Sequence, residues 1–331
     1  MLTTHLDRPT ARAAVALANR APSVHNSQPW RWRIGPSSVH LFADPDRALP
    51  LTDPEGRGLL VSCGAALHHL RVALLAAGLG GPVHRLPDPA HPRHLASIEP
   101  SPAEPTPDDL GLARAIETRR SDRRVFSTWP VPPEFLDDLV RAAAGEGAAL
   151  VVLDPGRRWE AARLIERAAV EQALTPGLAQ EVALWTGRAR GAPDGVPAAN
   201  VPGDGTAAVP VRHFAGREMD QSELGHEEAD GTELAVLVTD GDTPEDRLRA
   251  GEALSAVLLR ATATGLATDP ISQPLEVEAT RDRLAADCLP SGRHPQVLLR
   301  LGWAPVSATP VPATGRRPVD ETIDPFDAPW A

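Results

Sequence analysis

The sequence predicts an α+β fold built from two related halves, on three observations. Short apolar runs bounded by turn residues alternate with longer segments that carry leucine and alanine at helical spacing. Two of those helical segments open on acidic caps and close on glycine. The same two align with each other without a gap, which marks an internal duplication.

In chain order, Arg31–Ile34 and Val39–Ala43 flank Gly35-Pro36 as a predicted hairpin. Thr52-Asp53-Pro54-Glu55 reads as a capping box opening a helix. Leu60, Leu67, Leu70 and Leu74 recur along it, and Gly78 is its stop. Gly78-Leu79-Gly80-Gly81 therefore ends a helix, where a dinucleotide fingerprint would open one. Residues 101–107, in the Pro- and Ser-rich stretch Glu99–Pro107, form a linker between halves spanning 1–100 and 108–331. Thr106-Pro107-Asp108-Asp109 caps a helix running to Thr118. Ala149–Asp154, Glu233–Thr239 and Gln296–Leu301 read as strands. Thr243-Pro244-Glu245-Asp246 opens the second repeat helix, with Leu254, Val257, Leu258 and Ala261 on one face and Gly265 at its end. Gly64, Ala66, Leu67, Ala76, Gly78 and Leu79 match Gly251, Ala253, Leu254, Ala263, Gly265 and Leu266.

Residues 187–225 carry many Gly and Pro and little periodicity, as a lid-like insertion would. Residues 304–331 read as an extended, Pro-rich arm.

Composition excludes several functions. A net charge of −11 leaves no broad footprint for nucleic acid. No apolar run is read as long enough to cross a bilayer, and the first twenty residues lack the order of a signal peptide. With two distant cysteines, Cys63 and Cys288, the expected setting is a reducing cytoplasm. His68, His69, His91, His94, His213 and His226 show no metal-ligand spacing with acidic residues. The chain has no lysine, so a phosphate site must use arginine.

Two motifs carry chemistry. Arg119-Arg120-Ser121 follows a helix end, and its guanidiniums and hydroxyl suit a phosphate dianion. Arg123 lies two residues beyond. Pro22-Ser23-Val24-His25-Asn26-Ser27-Gln28-Pro29-Trp30 is the more specific string.

Both motifs resemble the signature segments of the FMN-dependent nitroreductase family. There the flavin lies at a dimer interface, with each segment from a different subunit. Their presence in one chain implies a nitroreductase-like fold in two tandem halves, an intramolecular pseudo-dimer. The fusion, the insertion and the late Arg-Arg-Pro resemble the Acg-type branch.

The resemblance implies that Pro22, Ser23, Val24 and Asn26 pack on FMN from the first half. Arg119, Arg120 and Ser121 would hold the phosphate, and Arg123 the N1–O2 edge, where a cation raises the reduction potential. Pro270 and Ile271, with Ser272 where the family usually has an acid, would place backbone N–H groups at N5. Arg316 and Arg317 would close on the phosphate. The segment matching Pro22–Asn26 in the second half falls near Ala142–Ala148 and reads Ala-Ala-Ala-Gly-Glu-Gly-Ala. Each half thus keeps one side of the site, which implies one FMN per chain.

The expected activity is an FMN-dependent oxidoreductase that takes electrons from NAD(P)H and reduces a nitroaromatic or quinone, with no catalytic side chain required and no metal. The alternative is a catalytically weak flavin-binding protein for storage or sequestration. Azoline-type oxidation, also found on this fold, relies on a Lys–Tyr pair, and the chain has neither residue. No nucleic-acid or membrane partner is expected, and the chain should be a monomer or loose dimer.

Overall fold

The computed structural model describes residues 6–203, 209–210, 212, 214, 216–219, 231–305 and 308–328. His213 and His226, and parts of the predicted insertion, lie outside the described residues.

The first half runs α1 (Arg8–Ala18), β1 (Trp30–Ile34), β2 (Val39–Ala43), α2 (Arg57–Ala76), β3 (Leu79–Gly80), β4 (Val83–Arg85), β5 (His94–Ile98) and β6 (Ser101–Pro102). Helix α3 (Pro107–Thr118) follows. The second half continues α4 (Pro133–Gly145), β7 (Ala149–Val152), α5 (Pro155–Ala173), α6 (Leu178–Trp185), β8 (Thr186–Arg188), β9 (Val196–Pro197) and β10 (Glu233–Thr239). It closes with α7 (Pro244–Ala263), β11 (Ala267–Ile271), α8 (Gln273–Glu276), α9 (Glu278–Cys288), β12 (His294–Gly302) and β13 (Ile323–Asp324).

The duplication is visible in topology. The order helix, two strands, helix, two strands occurs as α1-β1-β2-α2-β4-β5 and again as α4-β7-β10-α7-β11-β12. The sheets repeat it, with neighbours β1-β2-β5-β4 in one and β7-β10-β12-β11 in the other, antiparallel throughout. Each sheet packs on its own apolar core.

The halves meet where α2 crosses α7. A Cβ on Gly64 would stand 2.0 Å from the Leu248 carbonyl, and one on Gly251 would stand 2.1 Å from the Val61 carbonyl. Each glycine abuts the residue three positions before its counterpart, the reciprocal pattern of a two-fold axis. Of the glycines that match in sequence, Gly64 and Gly251 are therefore the crossing point itself. One turn on, the equivalent positions His68 and Ser255 also touch, with His68 Nδ1 2.7 Å from Ser255 Oγ.

The arm returns to the first half. Strand β13 pairs with β1 in parallel. Asn19 at the end of α1 accepts from the indole N–H of both Trp30 and Trp32, at 2.9 and 3.0 Å, and donates to Thr322 Oγ1 at 2.8 Å. The two buried tryptophans and the arm thus share one amide.

Two expectations need correction. Helix α2 begins at Arg57, after Gly56 takes a left-handed turn at φ 66°. Thr52 is no cap: its hydroxyl donates to Glu181 at 2.6 Å, while Asp53 accepts from the Gly58 and Leu59 amides at 3.0 and 2.8 Å. Helix α2 is also long and apolar enough to cross a membrane, with 20 residues and mean hydropathy 1.6. Fully 72% of that window is buried inside the protein, which identifies a core helix.

The crossing predicts a contrast between two glycines. Gly64→Ala should destabilise the protein by about 3 kcal/mol or more, because backbone on both sides must shift. Gly111→Ala, in α3 with nothing within 4 Å of its Cβ position, should stabilise it by about 0.5–1 kcal/mol. Denaturant melts decide the matter: an unchanged Gly64→Ala midpoint would mean that the helices part freely.

Candidate functional site

Two adjoining cavities open between the halves. The larger, about 120 Å³, is walled by Pro22, Val24 and Val61 from the first half and by Leu254, Pro270 and Ile271 from the second. The smaller, about 60 Å³, holds Arg119, Arg120, Asn200, Thr314 and Arg316. Pro22, Ser23, His25, Ser121 and Arg123 line both.

Secondary structure explains how distant segments converge here. Strand β11 is an edge strand, and Ser121 forms a parallel bridge to Thr268 on its outer side. The Asp122 amide donates to the Thr268 carbonyl at 2.8 Å, which docks the arginine motif onto the strand. Beyond that bridge, Asp269, Pro270, Ile271 and Ser272 line the larger cavity. From the other half, Val24 N donates to Ser62 Oγ at 3.3 Å, which holds the 22–26 loop over the start of α2.

That loop is strained. His25, Asn26 and Gln28 have φ of 52°, 54° and 52°, a left-handed region that non-glycine residues rarely occupy. Its neighbours hold it there. Asn26 Nδ2 donates to the Gly195 and Gly315 carbonyls at 3.0 and 3.2 Å. Gln28 Nε2 donates to Pro193 O at 2.9 Å, and Gln28 Oε1 accepts from the Arg317 amide at 2.9 Å.

The electrostatics of the smaller cavity are one-sided. Among the described residues no carboxylate lies within ion-pair distance of Arg20, Arg119, Arg120 or Arg316. Nε and Nη1 of Arg119 and the Nε atoms of Arg20, Arg120 and Arg316 are buried without a partner there. Burial, with Arg120, Arg20 and Arg123 nearby, pushes Arg119 down to about 10. Burial and the same cluster push Arg316 to about 9. Buried like charges with unused donors make a site for a polyoxyanion. The larger cavity offers apolar walls and a few polar groups, as a flat ring requires. FMN has both parts, and the residues present fit it.

Most residues expected at the site converge on it. Pro22, Ser23, Val24, Pro270, Ile271 and Ser272 line the ring-sized cavity. Asn26, Arg119, Arg120 and Arg316 line the polar one, and Ser121 and Arg123 line both. Arg317 does not converge. Its Nη1 lies 3.3 Å from buried Asp44 and its Nη2 donates to Glu321 O at 3.0 Å, so it fastens the arm to the first half.

Sequence reasoning missed Arg20, Asn200, Arg212 and Phe214. Arg20 ends a helical turn before the Pro22 loop and carried no motif; the others lie in the irregular insertion. The insertion also divides. Its first part is built into the fold through Pro193, Asp194 and Gly195, held by Gln28, Arg47 and Asn26. Of the rest, Arg212 and Phe214 reach the ring-sized cavity. Arg212 forms an ion pair with Glu276, and Phe214 stands edge-on to His25 with ring centres 5.8 Å apart.

Comparison with known proteins gives close relatives. "Putative NAD(P)H nitroreductase Rv3131" of Mycobacterium tuberculosis is 44% identical over 98% of this chain and 94% of its own. "Putative NAD(P)H nitroreductase acg" of the same organism is 39% identical over 94% of each chain. No family model matches. Among solved structures, the FMN-dependent nitroreductase NfnB from Mycobacterium smegmatis, in complex with NADPH, aligns with a TM-score of 0.39 and 19% identity, over 64% of this chain and 96% of that one.

The two tail arginines should separate in a melting experiment on apoprotein. Inorganic phosphate, against chloride at equal ionic strength, should raise the midpoint of the wild type and not that of Arg316→Met. Arg317→Met should lose about 1–3 kcal/mol in both salts, having left Asp44 with a weaker partner, yet keep the phosphate increment. Equal phosphate increments in both variants would remove Arg316 from the anion site.

Proposed function

This chain belongs to the nitroreductase superfamily, in its Acg-type branch, and we propose that it is an FMN-dependent NAD(P)H oxidoreductase holding one FMN between its halves. The observation that carries the reading is the cluster of buried and half-buried guanidiniums without carboxylates among the described residues, opening directly into an apolar slot. Arg119, Arg120, Ser121 and Arg316 hold the phosphate. Pro22, Ser23 and Val24 pack on the cofactor from one half, and Pro270, Ile271 and Ser272 from the other. Asn26 sets the shape of the loop through its two carbonyl partners.

Arg123 supplies a cation at the junction of the two cavities. It lies over the Phe214 ring at 4.9 Å and 4.0 Å from Asp269, whose carboxyl is raised by burial. A cation beside the pyrimidine edge favours the reduced cofactor. FMN, when bound, would supply hydride chemistry between NAD(P)H and a nitroaromatic or quinone acceptor. The protein's part is to bind, orient and exclude water.

One observation favours a second reading, flavin storage. Arg212, fixed by Glu276, and Phe214 close part of the ring-sized cavity from the insertion side. A ring shielded there meets nicotinamide slowly. Stopped-flow mixing of holoprotein with NADH and NADPH separates the two: turnover requires prompt bleaching of the flavin, and storage predicts none.

Flavin released by denaturation should equal one FMN per chain; a ratio near two, or no binding after reconstitution, contradicts the reading. Arg120→Ala and Ser121→Ala should each weaken FMN binding by about 1.5–3 kcal/mol, roughly ten- to a hundredfold, in titrations of apoprotein. Unchanged affinity in both would make the motif mere surface charge.

A further inference from the structure

His25 belongs to no part of the site assigned so far. It occupies the variable position of the Pro22–Trp30 string, yet it is buried and lines both cavities where they meet. The backbone at residue 25 is left-handed, and the side chains of its neighbours Asn26 and Gln28 are pinned by the Gly195 and Pro193 carbonyls.

The ring's chemistry is set by one contact. Arg212 Nη1 lies 2.9 Å from His25 Nε2. A guanidinium donates and cannot accept, so Nε2 presents its lone pair. In a neutral imidazole the proton then sits on Nδ1. Burial, then Arg212 and Arg123, hold the ring well below its usual range and hence neutral. The charged groups facing it are Arg212, with Glu276 behind it, and Arg123, with Asp269 behind it. Nδ1 is itself buried and has no partner among the described residues. A ring with a buried, unused N–H therefore lines the passage between an apolar slot and an anion well. The guanidinium of Arg123 and the hydroxyls of Ser23 and Ser121 line the same passage. A ligand threading this passage needs oxygen acceptors.

We propose that His25 donates its Nδ1–H to a hydroxyl oxygen of the ribityl chain, the part of FMN that joins ring to phosphate, and that Arg212 of the insertion presets this donor. The inference rests on the flavin reading above. It gives the insertion a role in cofactor binding distinct from covering the ring, because Arg212 selects the tautomer that the cofactor meets.

Two experiments test it. In apoprotein labelled with 15N-histidine, His25 should show the Nδ1–H tautomer, and Arg212→Met should shift it towards Nε2–H; an Nε2–H ring in the wild type overturns the proposal. The second experiment compares riboflavin and lumiflavin, which lacks the ribityl chain, on apoprotein variants whose folding is checked by circular dichroism. Asparagine carries an N–H near the Nδ1 position and tolerates positive φ, whereas glutamine carries one further out. His25→Gln should weaken riboflavin binding about tenfold, His25→Asn should stay within about twofold of wild type, and lumiflavin should bind all three equally. Equal riboflavin affinity for wild type and His25→Gln, or lumiflavin falling in step, overturns the ribityl contact. If wild-type apoprotein binds no flavin of any kind, the flavin reading itself fails, while the spectra still report the tautomer.

Discussion

The close crossing of α2 and α7 is the constraint on which the rest of the structure depends. Without a Cβ on Gly64 or Gly251 the two backbones come into contact, and two sheets with separate cores become one body. The cavities sit at one end of that crossing. Gly58, Val61 and Ser62 of α2 and Leu254 of α7 reach the larger one directly. Widening the crossing by the size of a methyl group would move the two sides of the site apart, and neither side is complete alone.

The site itself concentrates unfavourable terms. Three left-handed residues lie within four positions, and a set of buried and half-buried guanidiniums has no carboxylate beside it among the described residues. Elsewhere the same protein pairs its buried charges well: Glu252 takes both Arg71 and Arg85, and Asp122 takes Arg124. The contrast is local, which is why it points to a ligand. An anion in the polar cavity would satisfy donors that the protein leaves open, and the strain in the loop is held by Gly195, Pro193 and Gly315, segments that also form the cavity walls.

Duplication and divergence explain why so few residues recur between the halves. The helices and strands needed for the crossing persist in both copies. The strained loop survives in the first half and the arginine motif in the second. Two additions, the insertion and the returning arm, are attached to the opposite half: Pro193 and Gly195 bond to the first-half loop, and β13 extends the first-half sheet. The insertion read as a lid from its composition is thus partly a buttress, because its backbone carbonyls are the partners that Asn26 and Gln28 require.

Much of this was legible in the sequence. The β1–β2 hairpin, strand β10, the caps at Thr106 and Thr243 and the matching glycines are local signals, written in turn chemistry, apolar runs and short-range capping. The two signature strings identified most of the lining of the smaller cavity for the same reason, since each works as a contiguous loop. What the sequence could not settle depends on contacts between distant residues. Thr52 fits a capping box until Glu181 takes its hydroxyl. Arg316 and Arg317 are adjacent and chemically identical, and their roles separate only because buried Asp44 stands beside one of them while the other turns back towards Arg20. Arg212 and Phe214 sit in a stretch without periodicity, and only the fold brings them to His25. Composition and spacing determined the elements and the duplication, and the resemblance of two short strings gave the class of ligand; the tertiary structure decided which charges remain unpaired, because pairing depends on distance in space, which residue spacing along the chain does not encode.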